Sequence, residues 1–382
     1  MWMSLNEILN QGRSGFAAHF HRHELPNPSV MSAFAKKIIT WQKRDGRHDL
    51  PWQKTRDPYR IWLSEIMLQQ TQVSAVVPYY ARFLERFPDI ATLASASLDE
   101  VMPFWAGLGY YARARNLHRG AQQIMTMHHG IFPKNFEAIH ALSGIGRSTA
   151  AAISAFAFGE KCAILDGNVK RVFARHFCVE GDVTSKPVEN RLWLIADANL
   201  PDADIESYTQ GLMDLGATVC KRSQPSCLIC PLRKSCMALD QGRVDALPGK
   251  RIRRETPHRQ TRMLVIIYAG EVLLEKRPMT GIWGGLWSLP EIAVDADVIK
   301  TMQLRLGLTG RKTKEMPTVE HGFTHFSLSI HPLHITPAKP PSRAMEPGLI
   351  WLNLDDAITA AIPAPVKRIL ESVKSADQTL SG

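Results

Sequence analysis

The sequence predicts a multidomain protein, with an all-α domain followed by an α+β domain, and three observations carry this prediction. Residues 32–239 repeat apolar side chains at spacings of three and four, which is the periodicity of amphipathic helices. After Asp240 the chain becomes polar and strongly basic without apolar periodicity, as expected for an interdomain linker. From Met263 onward, runs rich in Val, Ile and Leu predict β-strands.

Individual elements follow from the same patterns. Five stretches of the first domain show helical periodicity: "AFAKKIITWQKR", "YRIWLSEIMLQQT", "VSAVVPYYARFLERF", "RARNLHRGAQQIMTM" and "VENRLWLIADANL". Turns that contain Gly or Pro separate them. In the second domain, "MLVIIYAGEVLLEKR" predicts a hairpin that turns at Ala269 and Gly270, and "HFSLSIHPLHI" predicts a further strand. A closing helix is expected at "APVKRILESV".

The segment boundaries follow the changes in pattern. Residues 1–31 lack a secretory hydrophobic stretch and contain acidic residues, so we expect a loose extension and leave open whether translation starts at Met1 or Met31. The other expected segments are a helical domain at 32–239, a basic linker at 240–262, an α+β domain at 263–374 and a tail at 375–382.

Composition narrows the class of protein. The chain has 382 residues, of which 45% are hydrophobic, so each of two domains can bury its own core. Nowhere do about 18 apolar residues run together, so we predict no membrane span. Lys and Arg number 46 against 36 Asp and Glu. The resulting net charge of +10 suits either nucleic-acid binding or an evenly spread basic surface.

Four of the six cysteines lie in the loop 220–236, at the spacing C-x6-C-x2-C-x5-C: Cys220, Cys227, Cys230 and Cys236. Such a cluster indicates a metal site in a reducing compartment. Four thiolates complete either a tetrahedral zinc site or an iron–sulfur cluster. Zinc sites more often pair two C-x2-C knuckles, and only one is present here. The remaining Cys162 and Cys178 are expected to be buried as small hydrophobic side chains.

A helix, a Gly-x-Gly turn and a second helix are predicted at 137–158. Gly144 and Gly146 free this turn to expose backbone N–H groups, which with the following helix N-terminus suit a DNA phosphate. Taken alone, the pattern fits an ordinary helix corner equally well. Asp166, in "ILDGNVKRV", precedes another predicted helix and taken alone is most simply its N-cap.

In this order, the hairpin, the aspartate and the cysteine loop resemble the endonuclease III superfamily of DNA glycosylases. Within that superfamily, the segment from about Ser32 to about Val373 resembles the adenine DNA glycosylases of the MutY family. The matching blocks are "LPWQ", "WLSEIMLQQTQV", "GLGYYARARNL", "GIGRSTA", "ILDGNVKRV", "MDLGA" and "GIWGGLWSLP". The resemblance implies a base-excision-repair enzyme that removes adenine mispaired with 8-oxoguanine or guanine in double-stranded DNA.

The same resemblance implies further properties. The four cysteines would hold one 4Fe–4S cluster, and their loop would present Lys221, Arg222, Arg233 and Lys234 to DNA phosphates. The protein would be a monomer in the bacterial cytoplasm, associated with the nucleoid when bound to DNA. Two other functions stay open: a bifunctional glycosylase and AP lyase, and a non-catalytic iron–sulfur protein that binds DNA.

Two carboxylates are the candidate catalytic residues. Glu65 has Ile61, Trp62 and Leu68 as helix neighbours, and apolar surroundings raise the pKa of a carboxyl group. Without the resemblance, Glu65 fits a surface position on an amphipathic helix. With it, Glu65 is expected to protonate N7 of adenine, and Asp166 to stabilise the oxocarbenium-like sugar.

Position 148 separates the two enzymatic alternatives. Bifunctional relatives carry a lysine there, whose amine attacks the sugar, whereas Ser148 cannot form a Schiff base. We therefore expect base removal without strand cleavage. Ser148, Trp52 and Asn168 match adenine-pocket positions, although Gln53 departs from the Arg of some relatives. Lys170 is expected near the pocket without an obligatory role.

The resemblance also assigns contacts with DNA. Gln70 matches the residue that wedges into the duplex, on a helix expected to continue from Glu65 through Thr71. Tyr110 matches the residue that stacks beside the oxidised guanine. Without the family, these two residues fit a polar helix end and a core aromatic.

The stretch "GIWGGLWSLPE" in an α+β context resembles the Nudix fold. A Nudix hydrolase needs a glutamate-rich helix after this stretch to hold Mg²⁺, and the following nineteen residues, 292–310, contain no glutamate, so we exclude diphosphate hydrolysis. In the MutY family this domain recognises 8-oxoguanine. The expected recognition loop is Phe323, Thr324 and His325, in which Thr keeps the hydroxyl of the more usual Ser. Alternatively, His325 is a strand-edge residue.

Overall fold

The computed structural model describes residues 28–249, 256–323, 325–337 and 348–380, in which a helical domain precedes a domain built around one sheet. The helices of the first domain are α1 Pro28–Asp45, α2 Pro58–Leu68, α3 Val73–Arg86, α4 Ile90–Ser95, α5 Leu98–Val101, α6 Ala112–Met127, α7 Phe136–His140, α8 Arg147–Phe158, α9 Gly167–His176, α10 Lys186–Ala198, α11 Ile205–Asp214 and α12 Met237–Asp240. Short 3₁₀ segments lie at Pro51–Lys54, Met102–Phe104, Cys227–Ile229 and Arg233–Ser235. A π-helical segment, Leu215–Val219, leads from α11 into the cysteine loop. No helix among these described residues is long and apolar enough to cross a membrane.

Helix α2, which carries Glu65, is fixed at both ends by its sequence. The side chain of Asp57 caps its N-terminus by accepting from the N–H of Tyr59 at 2.9 Å, and Pro58 occupies the first helical position. The helix ends at Leu68, and Gln70 has a left-handed φ of 58°. The expectation that this helix continues through Thr71 is therefore wrong, because a left-handed residue ends an α-helix.

The helical domain is held by two apolar clusters. In one, Trp62 is fully buried against Phe132. Gly120 allows α6 to approach the Trp62 ring closely, since a side chain at this position would come within 2.8 Å of the ring. In the other, Phe34 of α1 packs on Phe173 of α9. Helices α2 and α9, which bring Glu65 and Asp166 to the site, thus lie in different parts of one packed domain.

The second domain is a mixed eight-stranded sheet with helices beside it. Its elements are β1 His258–Tyr268, β2 Glu271–Lys276, β3 Trp287–Ser288, β4 Glu291–Ile292, α13 Val298–Leu306, β5 Gly310–Glu315, β6 Val319–Gly322, β7 Ser327–Pro337, β8 Leu349–Asn353, α14 Leu354–Thr359 and α15 Ala364–Leu380. The predicted hairpin is confirmed, since β1 and β2 pair antiparallel around Ala269 and Gly270. Strand β7, also predicted, pairs in parallel with β1 over nine residue pairs.

Several segment boundaries in the structure differ from those that the sequence pattern predicted. Helix α1 begins at Pro28, before Ser32, and α15 reaches Leu380, inside the segment expected to be a tail. The first half of the expected linker is held on the helical domain, because Arg175 donates to the carbonyls of Val244 at 3.0 Å and Leu247 at 2.9 Å. The expected linker also ends too late, because β1 begins at His258 and not at Met263. Residues 1–27 and 250–255, which hold most of the expected extension and the middle of the expected linker, lie outside the described residues.

The sheet domain packs against helices α5 and α6 of the helical domain. Arg115 of α6 donates to the carbonyl of Gly284 at 2.7 Å, and Lys276 of β2 forms an ion pair with Asp99 of α5. Buried apolar residues of both domains also belong to one continuous cluster. The loop "GIWGGLW" therefore rests directly on the helix that follows Tyr110.

Candidate active site

Glu65 lines a cavity between α2, α11 and the 3₁₀ segment Pro51–Lys54. The other walls include the buried Trp52, the ring of Phe156 and the amide of Gln210. Trp52 is held edge-on against Tyr80, with ring centroids 5.4 Å apart. Two aromatic side chains beside many polar groups suit a planar heterocycle that carries hydrogen-bonding atoms.

The protonation of Glu65 follows from its surroundings. Burial of its carboxyl group, and secondarily the charge of Asp166, raise the pKa of Glu65 to about 8. Glu65 therefore carries a proton at neutral pH and can donate it inside the cavity. The helix neighbours named from the sequence account for part of this burial, since Ile61 and Trp62 are both buried.

Asp166 has a different environment. It is the N-cap of α9 and accepts from the N–H of Val169 at 2.7 Å, as the local sequence predicts. Burial raises the pKa of Asp166, whereas N–H groups of Val169 and Asn168 and the charges of Arg171 and Lys170 act in the opposite direction. These donors favour the carboxylate form of Asp166, while burial, the larger effect, raises its pKa overall.

Of the expected pocket residues, Trp52 lines the cavity of Glu65, whereas the side chains of Ser148 and Asn168 make contacts elsewhere. The Ser148 hydroxyl accepts from the N–H of Leu165 at 3.0 Å, next to Asp166 in the chain. The Asn168 oxygen accepts from Arg171 at 2.8 Å. Both side chains therefore hold the segment around Asp166 in place.

Gln210, which lines the cavity, is bound to a group that the sequence did not single out. Asp214 is 1% exposed and accepts from Gln210 at 2.8 Å and from the Arg47 guanidinium at 2.7 Å. Gln53, which departs from the Arg of some relatives, folds back to donate to the carbonyl of Arg47 at 2.9 Å. Because Gln210 donates to Asp214, its amide oxygen is the atom left for a ligand. An Asp on an apolar helix carries no sequence mark of such a role.

A buried arginine, Arg113 of α6, binds the end of α2. Its guanidinium donates to the carbonyls of Ile66, Met67 and Gln69 at 3.0, 2.7 and 2.6 Å. It also donates to the hydroxyl of Thr71 at 3.1 Å. A cation at this position stabilises the negative end of the helix. The sequence missed this residue, because an Arg on an amphipathic helix usually points to solvent.

The same guanidinium holds the turn before α6. It donates to the carbonyls of Leu108 and Gly109 at 3.4 and 3.0 Å, and Tyr110 follows directly with a left-handed φ of 50°. Tyr110 is 46% exposed, which excludes the reading of this residue as a core aromatic. Gln70 is also exposed. Arg113 thus ties together the two turns that carry both candidate DNA-contacting side chains.

The two hairpin glycines, between α7 and α8, serve different purposes. Gly144 has a φ of 80°, and a side chain there would come within 2.6 Å of Asn116, so the fold itself requires glycine. Gly146 caps α8 with an ordinary φ of −87°, and a side chain there would meet nothing within 4 Å. The open space at Gly146 leaves the N-terminus of α8 accessible to an anion. Lys170, by contrast, is paired with Glu189 at 2.7 Å.

Cys220, Cys227, Cys230 and Cys236 line one cavity and form no disulfide. Arg175 closes it, with its guanidinium 3.4 Å from the Cys220 sulfur and 2.7 Å from the Lys221 carbonyl. Around this cavity four basic residues are exposed: Lys221, Arg222, Arg233 and Lys234.

The prediction that the other two cysteines are buried is wrong. Cys162 and Cys178 are both partly exposed, and the Cys178 sulfur lies 3.1 Å from the amide oxygen of Gln241. A cysteine at a domain surface has the same sequence appearance as one in a core.

In the sheet domain, the expected recognition loop is the turn between β6 and β7. Phe323 stacks on Phe326 with ring centroids 4.4 Å apart, and its N–H donates to the Phe326 carbonyl at 2.8 Å. His325 is exposed in this turn and lies in neither strand, which excludes the strand-edge alternative. Thr324 lies outside the described residues.

Comparisons with known proteins agree with both domains. The family model for HhH-GPD superfamily base excision DNA repair proteins matches residues 63–198, and the NUDIX domain model matches residues 262–372. An adenine DNA glycosylase of Buchnera aphidicola (subspecies Baizongia pistaciae) is 36% identical over 342 residues, covering 89% of this chain and 97% of that protein. The adenine DNA glycosylase of Mus musculus is 30% identical, covering 91% of this chain and 79% of that protein. A thermostable thymine-DNA glycosylase superposes with a TM-score of 0.51 and 30% identity over 56% of this chain and 98% of its own.

Replacing Glu65 by Gln should raise stability and abolish activity together. The folded state keeps the Glu65 proton up to about pH 8, whereas the unfolded state releases it near pH 4.5, so wild-type stability falls between these values as the pH rises. Gln has no such proton. The stability gain of Glu65→Gln should grow by up to about 1.4 kcal/mol per pH unit in this window.

The measurement is the unfolding midpoint of both proteins at pH 5.5 and pH 7.5, with adenine excision assayed on the same samples. Glu85→Gln, which removes an exposed carboxylate from α3, should show no such pH-dependent gain. Excision by Glu65→Gln should fall by at least about a hundredfold. An equal stability difference at the two pH values would contradict the buried, protonated state of Glu65.

Proposed function

This chain belongs to the adenine DNA glycosylase family and removes adenine from DNA in base excision repair, and we propose that its substrate is adenine opposite 8-oxoguanine or guanine. The observation that carries the chemistry is the pair of Glu65 and Asp166, in which burial keeps the proton on Glu65 and backbone N–H groups favour the anion of Asp166. An N-glycosidic bond breaks when the leaving base accepts a proton and the sugar cation is stabilised.

In this mechanism Glu65 donates its proton to N7 of an extruded adenine. The bond between the sugar and N9 then breaks with its electron pair on the base, which leaves as neutral adenine. Asp166 stabilises the oxocarbenium-like sugar, and water completes hydrolysis. The donors around Asp166 support this division of roles, because they favour its carboxylate form.

We propose that the reaction stops at base removal. Strand cleavage by relatives needs an amine at the position of Ser148, and here a hydroxyl is bound to the N–H of Leu165. The candidate amine that the family resemblance indicates, Lys170, is held by Glu189. These contacts support a monofunctional enzyme over a glycosylase and AP lyase.

Extrusion of the adenine requires groups that fill the space it leaves. Gln70 and Tyr110 are the proposed ones, because both are exposed and stand on neighbouring turns. The open N-terminus of α8 at Gly146 is proposed to bind a phosphate of the same DNA, and the four basic residues of the cysteine loop are proposed to bind others.

We propose that the four cysteines hold one 4Fe–4S cluster. Their sulfurs line a single cavity, and burial raises the pKa of Cys227, of Cys236 and, to about 12, of Cys230. Within the described part of the chain, no three Cys, His, Asp or Glu side chains are gathered around the position of a single ion. The loop has a single C-x2-C pair, whereas zinc sites more often combine two, and this difference favours a cluster of several irons over one tetrahedral zinc. When bound, the cluster would supply positive charge that neutralises the thiolates.

Metal analysis tests the cluster. Protein prepared without oxygen should contain about four irons and four sulfides per chain and absorb near 400 nm. Cys178→Ser, outside the cavity, should keep this content, whereas Cys230→Ser should lose most of it. Stoichiometric zinc without inorganic sulfide would contradict the proposal.

The opposite base is proposed to be read by the turn between β6 and β7. The stack of Phe323 on Phe326, with Trp283 at 5.4 Å from Phe323, fixes the base of this turn and leaves His325 at its exposed end. Helix α13 contains no carboxylate side chain, which supports recognition over diphosphate hydrolysis. We further propose a monomer that acts on chromosomal DNA in the bacterial cytoplasm.

Single-turnover excision from duplexes with adenine opposite 8-oxoguanine, guanine or thymine tests this function. Wild-type protein should act on the first two and discriminate strongly against the third. His325→Ala should lose roughly tenfold of the preference for 8-oxoguanine over guanine, since one base contact is worth about 1–3 kcal/mol. A chain ending at Gly249 should lose more of this preference while keeping activity on adenine opposite guanine.

His140→Ala is the control for this experiment, because it removes an exposed histidine from the helical domain. All measurements use the same salt concentration, since phosphate contacts dominate affinity. Unchanged discrimination in both His325→Ala and the shortened chain would place recognition of the opposite base in the helical domain.

A further inference from the structure

We propose that Arg113 is the positioning residue for base extrusion, which makes Gln70 and Tyr110 enter the duplex as one unit. The proposal begins with the strained backbone at both residues. Gln70 and Tyr110 have φ values of 58° and 50°, in the left-handed region that costs most side chains about 1–2 kcal/mol. Such conformations persist where the surroundings determine them, and they concentrate at functional sites.

Arg113 holds both turns in these conformations through its hydrogen bonds. One guanidinium nitrogen, Nη1, donates only to carbonyls at the end of α2, the last of them Gln69 at 2.6 Å. The other, Nη2, bridges the two turns, with Thr71 at 3.1 Å on one side and Gly109 at 3.0 Å on the other. Gln70 lies between two of these partners, and Tyr110 follows a third.

The planar guanidinium is suited to this task, whereas an ammonium is not. Two nitrogens in a fixed fork reach two separate sets of acceptors, and Arg113 does so while only 7% exposed. The Arg113 guanidinium also lies 5.3 Å from the centroid of the Tyr110 ring, so it touches the side chain that it places. Loss of one partner therefore disturbs both turns together.

Arg113 lines no part of the cavity that holds Glu65, and its partners are backbone atoms and one hydroxyl. Its contribution should therefore fall on extrusion and spare the chemistry that follows. This inference rests on the roles proposed above for Gln70 and Tyr110.

The test compares two substrates in single-turnover excision with the full-length, cluster-containing protein. In one, adenine is opposite guanine in a continuous duplex; in the other, the same adenine is an unpaired, looped-out nucleotide. Arg113→Met should slow excision from the duplex by roughly a hundredfold and from the looped-out substrate by less than about tenfold, since extrusion from a duplex costs a few kcal/mol. A duplex with 2-aminopurine in place of the adenine should show a matching loss of the fluorescence rise on unstacking.

Arg119→Met, on the exposed face of the same helix, is the matched control and should change neither rate. If the Arg113→Met protein does not fold or does not retain its iron, two milder variants are used in its place. Arg113→Lys keeps the charge but not the fork, and Thr71→Val removes one acceptor and leaves Arg113 in place. Each should slow the duplex reaction by about threefold to tenfold with the looped-out substrate nearly unchanged.

Equal slowing on both substrates, or duplex rates within twofold of wild type, would overturn the proposal. Gln70→Ala and Tyr110→Ala separate this failure from failure of the underlying roles. If those two variants excise adenine normally, the roles proposed for Gln70 and Tyr110 are wrong. If they are slow and the Arg113 variants are not, only the positioning role is wrong.

Discussion

The active site depends on the contrast between the surroundings of two carboxyl groups. Glu65 enters the cavity from an apolar helix, and the nearby charge of Asp166 adds to the cost of ionising it. Asp166 sits at a helix N-terminus, where backbone N–H groups favour its anion. Burial keeps the proton on Glu65, and the donors at the helix N-terminus favour the anion of Asp166, which supports the roles of acid and charge stabiliser. Burial of Glu65 lowers the stability of the folded protein at neutral pH. In return, the same burial supplies a protonated carboxyl group that can act as the acid.

Two buried arginines hold the irregular segments around this pair. Arg113 gathers carbonyls from the turns at Gln70 and Tyr110, while Arg175 gathers carbonyls from the cysteine loop and from Val244 and Leu247. Each guanidinium replaces hydrogen bonds that a regular helix or sheet would have supplied. The turns at Gln70 and Tyr110 and the cysteine loop are thereby tied to helices α6 and α9, and α9 is the helix that Asp166 caps. A substitution at either arginine should therefore act through loop position, because neither side chain lines the cavity of Glu65.

The sequence predicted the features that local patterns encode. Helical and strand periodicity gave both domain types, the hairpin at Ala269 and Gly270 formed as expected, and Asp166 is an N-cap as its context indicated. Contacts between distant segments left no such pattern. Arg113 binds carbonyls of the α2 end that lie more than 40 residues away in the sequence. Asp214 accepts from Arg47, which is 167 residues away. The end of α2 was misplaced because Gln70 is left-handed between Gln69 and Thr71, whose oxygens accept from the distant Arg113. The basic linker was expected to be free up to 262, yet the buried charge of Arg175 fixes its first residues.

The pH dependence of excision tests the central claim most directly. Single-turnover rates at saturating enzyme would be measured from pH 5 to pH 9.5 on a duplex with adenine opposite 8-oxoguanine. If the protonated carboxyl of Glu65 is the acid, the rate should hold up to about pH 8 and then fall by about tenfold per pH unit, because the reactive form is the one that keeps its proton. The residual rate of Glu65→Gln should not show this fall. A wild-type rate that stays constant to pH 9.5, or that already falls near pH 5, would contradict the account.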